Sequence, residues 1–258
     1  MYSFRDTVAG SSSEVIGNLP TSAMMYNGRY IENVIDGYQT LTVTGREMIS
    51  LDIDSDSIKV GALISMQRIQ PRILTVQYKL EDNDPEELQK KFKELMILLF
   101  KEEDVEISFN DEPGIKYYGR YSETDDVPGD TNSIFSSFSI YCQDPRKYSN
   151  SKQSGANITM HSPVETPPER IVVKLARGNS IKITNQNTKA QIKITGAAIY
   201  ANNILTFDMD QGILLVDGKD MTSILDLESD FENFYIHRGD VLTCDNGTMT
   251  IYAREVYL

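Results

Sequence analysis

The chain contains no tryptophan, only two histidines and only two cysteines in 258 residues. Each shortage excludes a class of chemistry. Two histidines, His161 and His237, leave almost no raw material for a histidine-rich metal centre or a Ser-His-Asp triad. Cys142 and Cys244 lie far apart in sequence and form neither a disulfide framework nor a CxxC knuckle, so both read as small core residues in strands. The longest purely apolar run is Leu95 to Phe100, six residues, against about 20 for a membrane-spanning helix. The first residues, MYSFRDTVAGSSSEVIG, carry acids and no apolar core, which is not the pattern of a secretory signal. Positive charge is short as well: 25 Lys and Arg against 38 Asp and Glu give a net charge of −13. A sequence-independent grip on nucleic acid or on an anionic membrane is therefore not expected. No GxGxxG, GxxxxGK[ST], HExxH or GxSxG occurs.

What remains is mostly period-2 alternation, the mark of strands with one apolar face. Leu41 and Val43 form one such row, followed by Ile49, Leu51 and Ile53, by Leu74, Val76, Tyr78 and Leu80, and by Phe138, Ile140 and Cys142. One helix interrupts them, from Pro85 to about Phe100, with Asp84 as cap, Pro85 in the first turn and Glu86 and Glu87 at the positive end of the dipole. Leu88, Phe92, Leu95 and Leu99 make its apolar stripe. Pairs Glu86–Lys90 and Glu87–Lys91 are expected on its solvent face.

A polar, proline-containing stretch divides the chain near residue 150. The expected organisation is residues 1–148, a linker over 149–169 and a second domain over 170–258. The second part has eight strand candidates: 171–175, 181–184, 191–195, 204–209, 213–216, 231–236, 241–244 and 249–256. Asp217-Gly218 and Asp245-Asn246-Gly247 serve as turns, which points to an antiparallel β-sandwich or jelly roll. Residues 1–148 carry 15 basic and 25 acidic side chains, the remainder 10 and 13. Within 171–200, Lys174, Arg177, Lys182, Lys189 and Lys193 have no acid among them, and cross-strand charge pairing is their simplest explanation.

The chemical candidates are thin. Ser149 to Lys152 matches SxxK but lies in the polar stretch rather than opening a helix. Asp52, Asp54 and Asp56 begin like a calcium loop, yet Ser57 and Leu63 stand where an EF-hand needs Gly and Glu, so an exposed strand face opposite Leu51 and Ile53 is the better account. Asp208 and Asp210, or Glu228, Asp230 and Glu232, could in principle supply a glycosidase pair, although carboxylates on a solvated face are commonplace. No catalytic, cofactor-binding or metal-binding residue is assigned, and no enzyme activity is expected.

Three stretches carry a resemblance. Ser139 to Tyr148, a strand ending in C-x-D-P-x-x-Y, resembles the end of the N-terminal domain of the distal tail proteins (Dit) of long, non-contractile-tailed phages of Gram-positive bacteria. Met25 to Tyr30 with Gly45-Arg46-Glu47 is similar to that domain's start. The segment Phe231 to Leu258, with Arg238-Gly239 and Ala253 to Leu258, is similar to the family's C-terminal end. The resemblance implies a mainly β protein with a ring-forming N-terminal domain and a C-terminal galectin-like or carbohydrate-module-like sandwich. It further implies a homo-hexameric hub in the virion, assembled in the host cytoplasm. That hub joins the tail tube protein to a tail-associated lysin or fibre and carries baseplate or receptor-binding proteins, with DNA passing through its lumen and no membrane contact. Residues Ile49 to Tyr78 are expected to reach a neighbouring subunit as an arm, or equally to pair within their own domain. A carbohydrate-binding module or glycan-active enzyme is the alternative. It would need several of Tyr200, Phe207, Phe231, Phe234, Tyr235, Tyr252 and Tyr257 exposed on one face.

Overall fold

A computed structural model describes residues 7–8, 19–127, 131–159, 162, 164–196 and 199–258; His161 lies outside them. The chain separates into Met1–Lys147 with Leu258, and Tyr148–Tyr257. In chain order the first unit comprises β1 (Thr7–Val8), β2 (Leu19–Pro20), β3 (Met24–Tyr26), β4 (Arg29–Tyr30), α1 (Ile31–Val34), β5 (Tyr38–Thr44), β6 (Leu51–Ser57) and β7 (Ala62–Ile69). It continues through β8 (Arg72–Glu81), α2 (Pro85–Leu99), β9 (Val105–Phe109), β10 (Ile115–Thr124) and β11 (Ser133–Cys142), and β12 (Lys147–Ser149) begins at its boundary.

Seven strands of this unit form one sheet in the order β4-β3-β9-β10-β11-β8-β5. The central strand β8 follows the alternation closely: Leu74, Val76, Tyr78 and Leu80 are buried, in register with Ile140, Phe138, Ser136 and Ile134 of β11. Helix α2 seals that face with Leu88, Leu95 and Leu99, and Phe92 packs partly buried beside them. Its start is fixed as its sequence requires, the Asp84 carboxylate accepting from the Glu86 amide at 2.9 Å. The far end is tied to the sheet by the buried Tyr26 hydroxyl, which donates to the Leu99 carbonyl at 2.9 Å.

Two local expectations fail for identifiable reasons. Leu41 does not share a face with Val43, because a register shift between Thr40 and Thr42 inserts a residue. Tyr38, Thr40 and Val43 are buried and Leu41 is turned outward. The i,i+4 charge pairs of α2 are also replaced. Lys90 bonds Glu87 at 2.5 Å, one residue closer, while Lys91 reaches off the helix to Asp82 at 2.7 Å.

The second unit holds β13 (Lys152–Ser154), β14 (Arg170–Lys174), β15 (Ser180–Asn185), β16 (Gln191–Thr195), β17 (Ile204–Asp208), β18 (Ile213–Val216), β19 (Lys219–Asp220), β20 (Leu242–Cys244), β21 (Thr248–Ala253) and β22 (Val256–Tyr257). One sheet runs β13-β21-β14-β17-β18-β19 and a second runs β16-β15-β20. Their inward rows, Ile171, Val173, Leu205 and Phe207 from one and Ile181, Ile183, Ile192 and Ile194 from the other, meet in a single core. Asp217 (φ 50°) and Gly218 (φ 80°) form the two-residue turn from β18 to β19, as the Asp-Gly pair requires.

The expected strand over 231–236 is instead a 3-10 turn at Phe231–Asn233. Phe231 and Phe234 are both buried three residues apart, a spacing that a strand cannot direct to one face. The polar stretch 149–169 belongs to this second unit. Lys152–Ser154 pairs with β21, Ile158 enters the core, and Thr166 bridges Ile236.

Candidate functional site: an exposed amphipathic ribbon

Among the described residues, strands β6 and β7 pair only with each other, forming a two-stranded antiparallel ribbon outside the seven-stranded sheet. Gly61 (φ +90°) turns the chain, with the Ile58 amide bonded to the Gly61 carbonyl at 3.3 Å. The ribbon spans 51–69, so it is shorter than the expected arm over Ile49 to Tyr78; the rest of that segment is β8, a core strand. Ribbon and core strand are separated by Gln70-Pro71.

The register sorts the ribbon into two faces. Leu51 opposes Ile69, Ile53 opposes Gln67, Ser55 opposes Ile64 and Ser57 opposes Ala62. On the other side Asp52 opposes Arg68, Asp54 opposes Met66 and Asp56 opposes Leu63. Cross-strand partners share a face, so one side is mainly aliphatic and the other carries three aspartates with Leu63 and Met66 among them. Arg68 binds Asp52 at 2.9 Å and Asp54 at 3.4 Å, and the Gln70 amide donates to Asp52 at 3.0 Å. The three aspartates therefore act as a solvated strand face. Asp52 and Asp54 are matched to an arginine, not arranged with Asp56 as a cation cage.

Nothing among the described residues covers the ribbon's apolar side chains. Leu51, Ile53, Leu63, Ile64, Met66 and Ile69 are each at least 40% exposed. A lone two-stranded ribbon is marginal in water, and its free edges and apolar patch are the features that proteins use or suppress for association.

The base of the ribbon is in contrast tightly held. Arg46 makes a bidentate pair with Asp111, at 2.6 and 2.8 Å, and lies 4.8 Å over the Phe109 ring; that pairing raises its pKa above the ordinary arginine value. Gly45 (φ +89°) has no room for a side chain, since a Cβ would fall 2.0 Å from the Ile73 carbonyl oxygen. In the C-x-D-P-x-x-Y segment, Asp144 accepts from the Arg146 amide and guanidinium, a local turn that fixes the chain where it leaves the first unit. Burial pushes the Cys142 thiol up to about 12, which makes it a packing residue rather than a nucleophile.

The other residues singled out in the sequence are dispersed. Asp208 accepts from the Gln211 amide, Asp210 pairs with Arg254 at 3.3 Å, Glu228 lies 3.8 Å from Lys193, and Asp230 accepts from the Gln191 amide. These contacts do not bring two of them across a cleft, and no group of three His, Cys, Asp or Glu suited to a metal occurs among the described residues. The backbone amide of His237 donates to Asp240. Phe207, Phe231 and Phe234 are core residues, Tyr252 lies under Arg170 at 4.2 Å, and Tyr257 donates to Glu255, leaving Tyr200 and Tyr235 as the more exposed aromatics. Cross-strand charge pairing does not account for the basic stretch. Lys182 stands directly opposite Lys193, and of the five side-chain cations only that of Lys193 lies within ion-pair distance of carboxylates among the described residues, Asp226 and Glu228. The two faces are legible in Asp52-x-Asp54-x-Asp56 interleaved with Leu51 and Ile53, as the sequence predicts; what sequence reasoning misses is that the partner strand is β7 and that nothing among the described residues covers the pair.

Two family models match the chain: a phage tail protein RIFT-related domain over residues 58–141 and a siphovirus-type tail component C-terminal domain over 161–257. Together they define the class, a siphovirus tail component. Within that class the chain belongs to the distal tail protein (Dit) family. The distal tail protein of Bacillus phage SPP1 is 24% identical over 240 residues, covering 90% of this chain and 81% of that protein. The crystal structure of SPP1 Dit, described as a paradigm of the hub adsorption apparatus in phages infecting Gram-positive bacteria, superposes with a TM-score of 0.80 at 21% identity. That likeness covers 92% of this chain and 99% of that one. A chain of the phage P2 baseplate in its activated conformation matches with a TM-score of 0.53 at 7% identity, over 90% of this chain and 97% of that one. The mainly β fold is thus that of the distal tail proteins.

Proposed function

We propose that this protein is the hub of a siphophage tail tip. Six copies close into a ring through residues 1–148, each laying the aliphatic face of its β6–β7 ribbon on the neighbouring copy. The ring joins the tail tube to a tail-associated lysin or fibre, and the second unit, in which 149–169 folds together with 170–257, carries baseplate or receptor-binding proteins. The role is structural rather than enzymatic, and the protein resides in the virion after assembly in the host cytoplasm. Membership of the distal tail protein family supports the hub role. The observation that carries the self-contact is the uncovered aliphatic face, because the large side chains of Leu51, Ile53, Ile64 and Ile69, held in water, have no function within a single chain. A head-to-tail contact of this kind closes when its rotation divides a full turn.

The test is to image the purified protein by negative stain and to measure its mass by light scattering, alone and with the tail tube protein. Six-fold rings are expected. Changing Leu51, Ile53, Ile64 and Ile69 together to serine should abolish them while leaving the melting temperature nearly unchanged, since all four side chains are exposed already. Rings that persist in this variant overturn the assignment of the ribbon.

A further inference from the structure

Arg72, the first residue of β8, is 3% exposed. Its hydrogen bonds go to carbonyls rather than to a carboxylate. Its Nε donates to the Pro145 carbonyl at 2.8 Å, and its Nη1 donates to the carbonyls of Gly45 at 2.7 Å and Arg46 at 3.1 Å. Its Nη2 is buried with no partner among the described residues, and the guanidinium carbon lies 5.9 Å from the Tyr117 ring centre. Burying a cation that cannot lose its proton is costly, and neutral carbonyls compensate less than a carboxylate does. Such a group is poor as a source of stability. What it does achieve is geometric: a planar fork fixes acceptors on two of its edges at once.

The acceptors and the arginine belong to three chain segments. Gly45 and Arg46 lead into the ribbon, Arg72 itself follows the ribbon's last residues, and Pro145 lies in the C-x-D-P-x-x-Y segment on which the first unit ends. Both feet of the ribbon are therefore tied to a single guanidinium, and that guanidinium is tied to the outgoing chain. Strand pairing gives the ribbon no other support, since among the described residues β6 and β7 pair with no further strand.

We propose that Arg72 is a positioning residue that sets the direction of the β6–β7 ribbon relative to the sheet and to the exit segment at Pro145. Its consequence for ring closure rests on the reading of the ribbon as the self-contact; the positioning itself does not. Lysine at this place offers one point charge and holds one edge, not two, so it should loosen the ribbon even though charge is conserved.

The experiment places spin labels at Lys59→Cys near the ribbon turn and at Gln77→Cys on β8, with Cys244→Ser, in the full chain diluted with unlabelled protein. Pulsed dipolar spectroscopy should give one narrow distance peak, and Arg72→Lys and Arg72→Met should each lose it to a broad distribution while near-ultraviolet circular dichroism stays native. A peak that stays narrow in folded Arg72→Lys and Arg72→Met overturns the proposal. Hydrogen exchange of the arginine Nε–H groups by NMR needs no variant. Arg72 should be strongly protected relative to the exposed Arg29, and equal exchange rates overturn the clamp. Ring imaging separates the two readings: a broadened distribution with rings intact supports positioning and refutes the ribbon as the self-contact. Rings lost while the peak stays narrow refute positioning.

Discussion

Strands β6 and β8 lie in the same stretch of chain, separated by the ribbon turn and β7, and both alternate apolar residues with polar ones. Leu74, Val76, Tyr78 and Leu80 of β8 are all at most 2% exposed, whereas Leu51 and Ile53 of β6 are near half exposed. The difference is not in the strands but in what lies over them. Helix α2 and the neighbouring strands cover the inner face of β8, and nothing among the described residues covers the ribbon. Alternation therefore specifies a strand and a face, and a second element decides whether that face is core or contact surface.

The contrast is broken most directly by truncating one residue on each side of it. Leu74→Ala removes a fully buried side chain and should destabilise by about 2–5 kcal/mol, and Leu95→Ala on the facing helix should do the same. Ile53→Ala should stay within about 0.5 kcal/mol, the usual range for a surface change. Urea titrations of the three variants decide the matter; a large loss for Ile53→Ala would mean that the ribbon packs on its own chain.

The next effect concerns the junction between the two strands. Gly45→Ala forces a Cβ to within 2.0 Å of the Ile73 carbonyl oxygen at a φ of +89°. Left-handed strain alone costs on the order of 1–3 kcal/mol, and the close approach adds to it. Thermal melting should show the loss in isolated chains, and a neutral outcome would mean that the base of the ribbon is loose. Asp84→Ala should cost less, about 0.5–2 kcal/mol, by freeing the Glu86 amide at the start of α2. Asp84→Asn, which keeps an acceptor, should recover most of it in the same melts.

Legibility in the amino-acid sequence divides along similar lines. The row from Leu74 to Leu80, the helix from Pro85 and the Asp217-Gly218 turn are legible because each is decided by neighbours in sequence: period, cap and positive φ. Leu41 is assigned to the wrong face by alternation alone, because a bulge costs one residue and leaves no composition signal. Phe231 to Ile236 reads as a strand because its aromatics imply β propensity, while the spacing of Phe231 and Phe234 argues otherwise. At the candidate site, the alternation of the ribbon is visible in the sequence, but its lack of cover and the Arg72 clamp are not. Both depend on residues tens of positions apart, Pro145 being 73 away from Arg72.

The smallest expected effect lies in the second unit and separates two aspartates by their pH dependence. Asp226 accepts from the Thr195 hydroxyl at 2.7 Å and from its amide at 3.1 Å, and the hydroxyl bond is the main reason its pKa is held below the ordinary carboxylate value. The folded state thus favours the ionised form. Its contribution is present above the unfolded pKa and is lost as pH falls through the depressed folded value. Asp210 is the reverse: burial raises its pKa despite the Arg254 guanidinium, with Glu169 and Asp208 adding to the rise. Ionising it opposes folding, so its penalty appears as pH climbs from the unfolded to the raised folded value and persists at neutrality. Asp226→Asn should therefore lower the melting temperature at pH 7, with the deficit closing as acid is added. Asp210→Asn should leave it unchanged or slightly raised at pH 7, with that gain vanishing in acid. Melting curves of both variants from about pH 3 to pH 7 check the opposite slopes; two deficits of the same sign and the same pH course would show that both carboxylates act as ordinary surface charges.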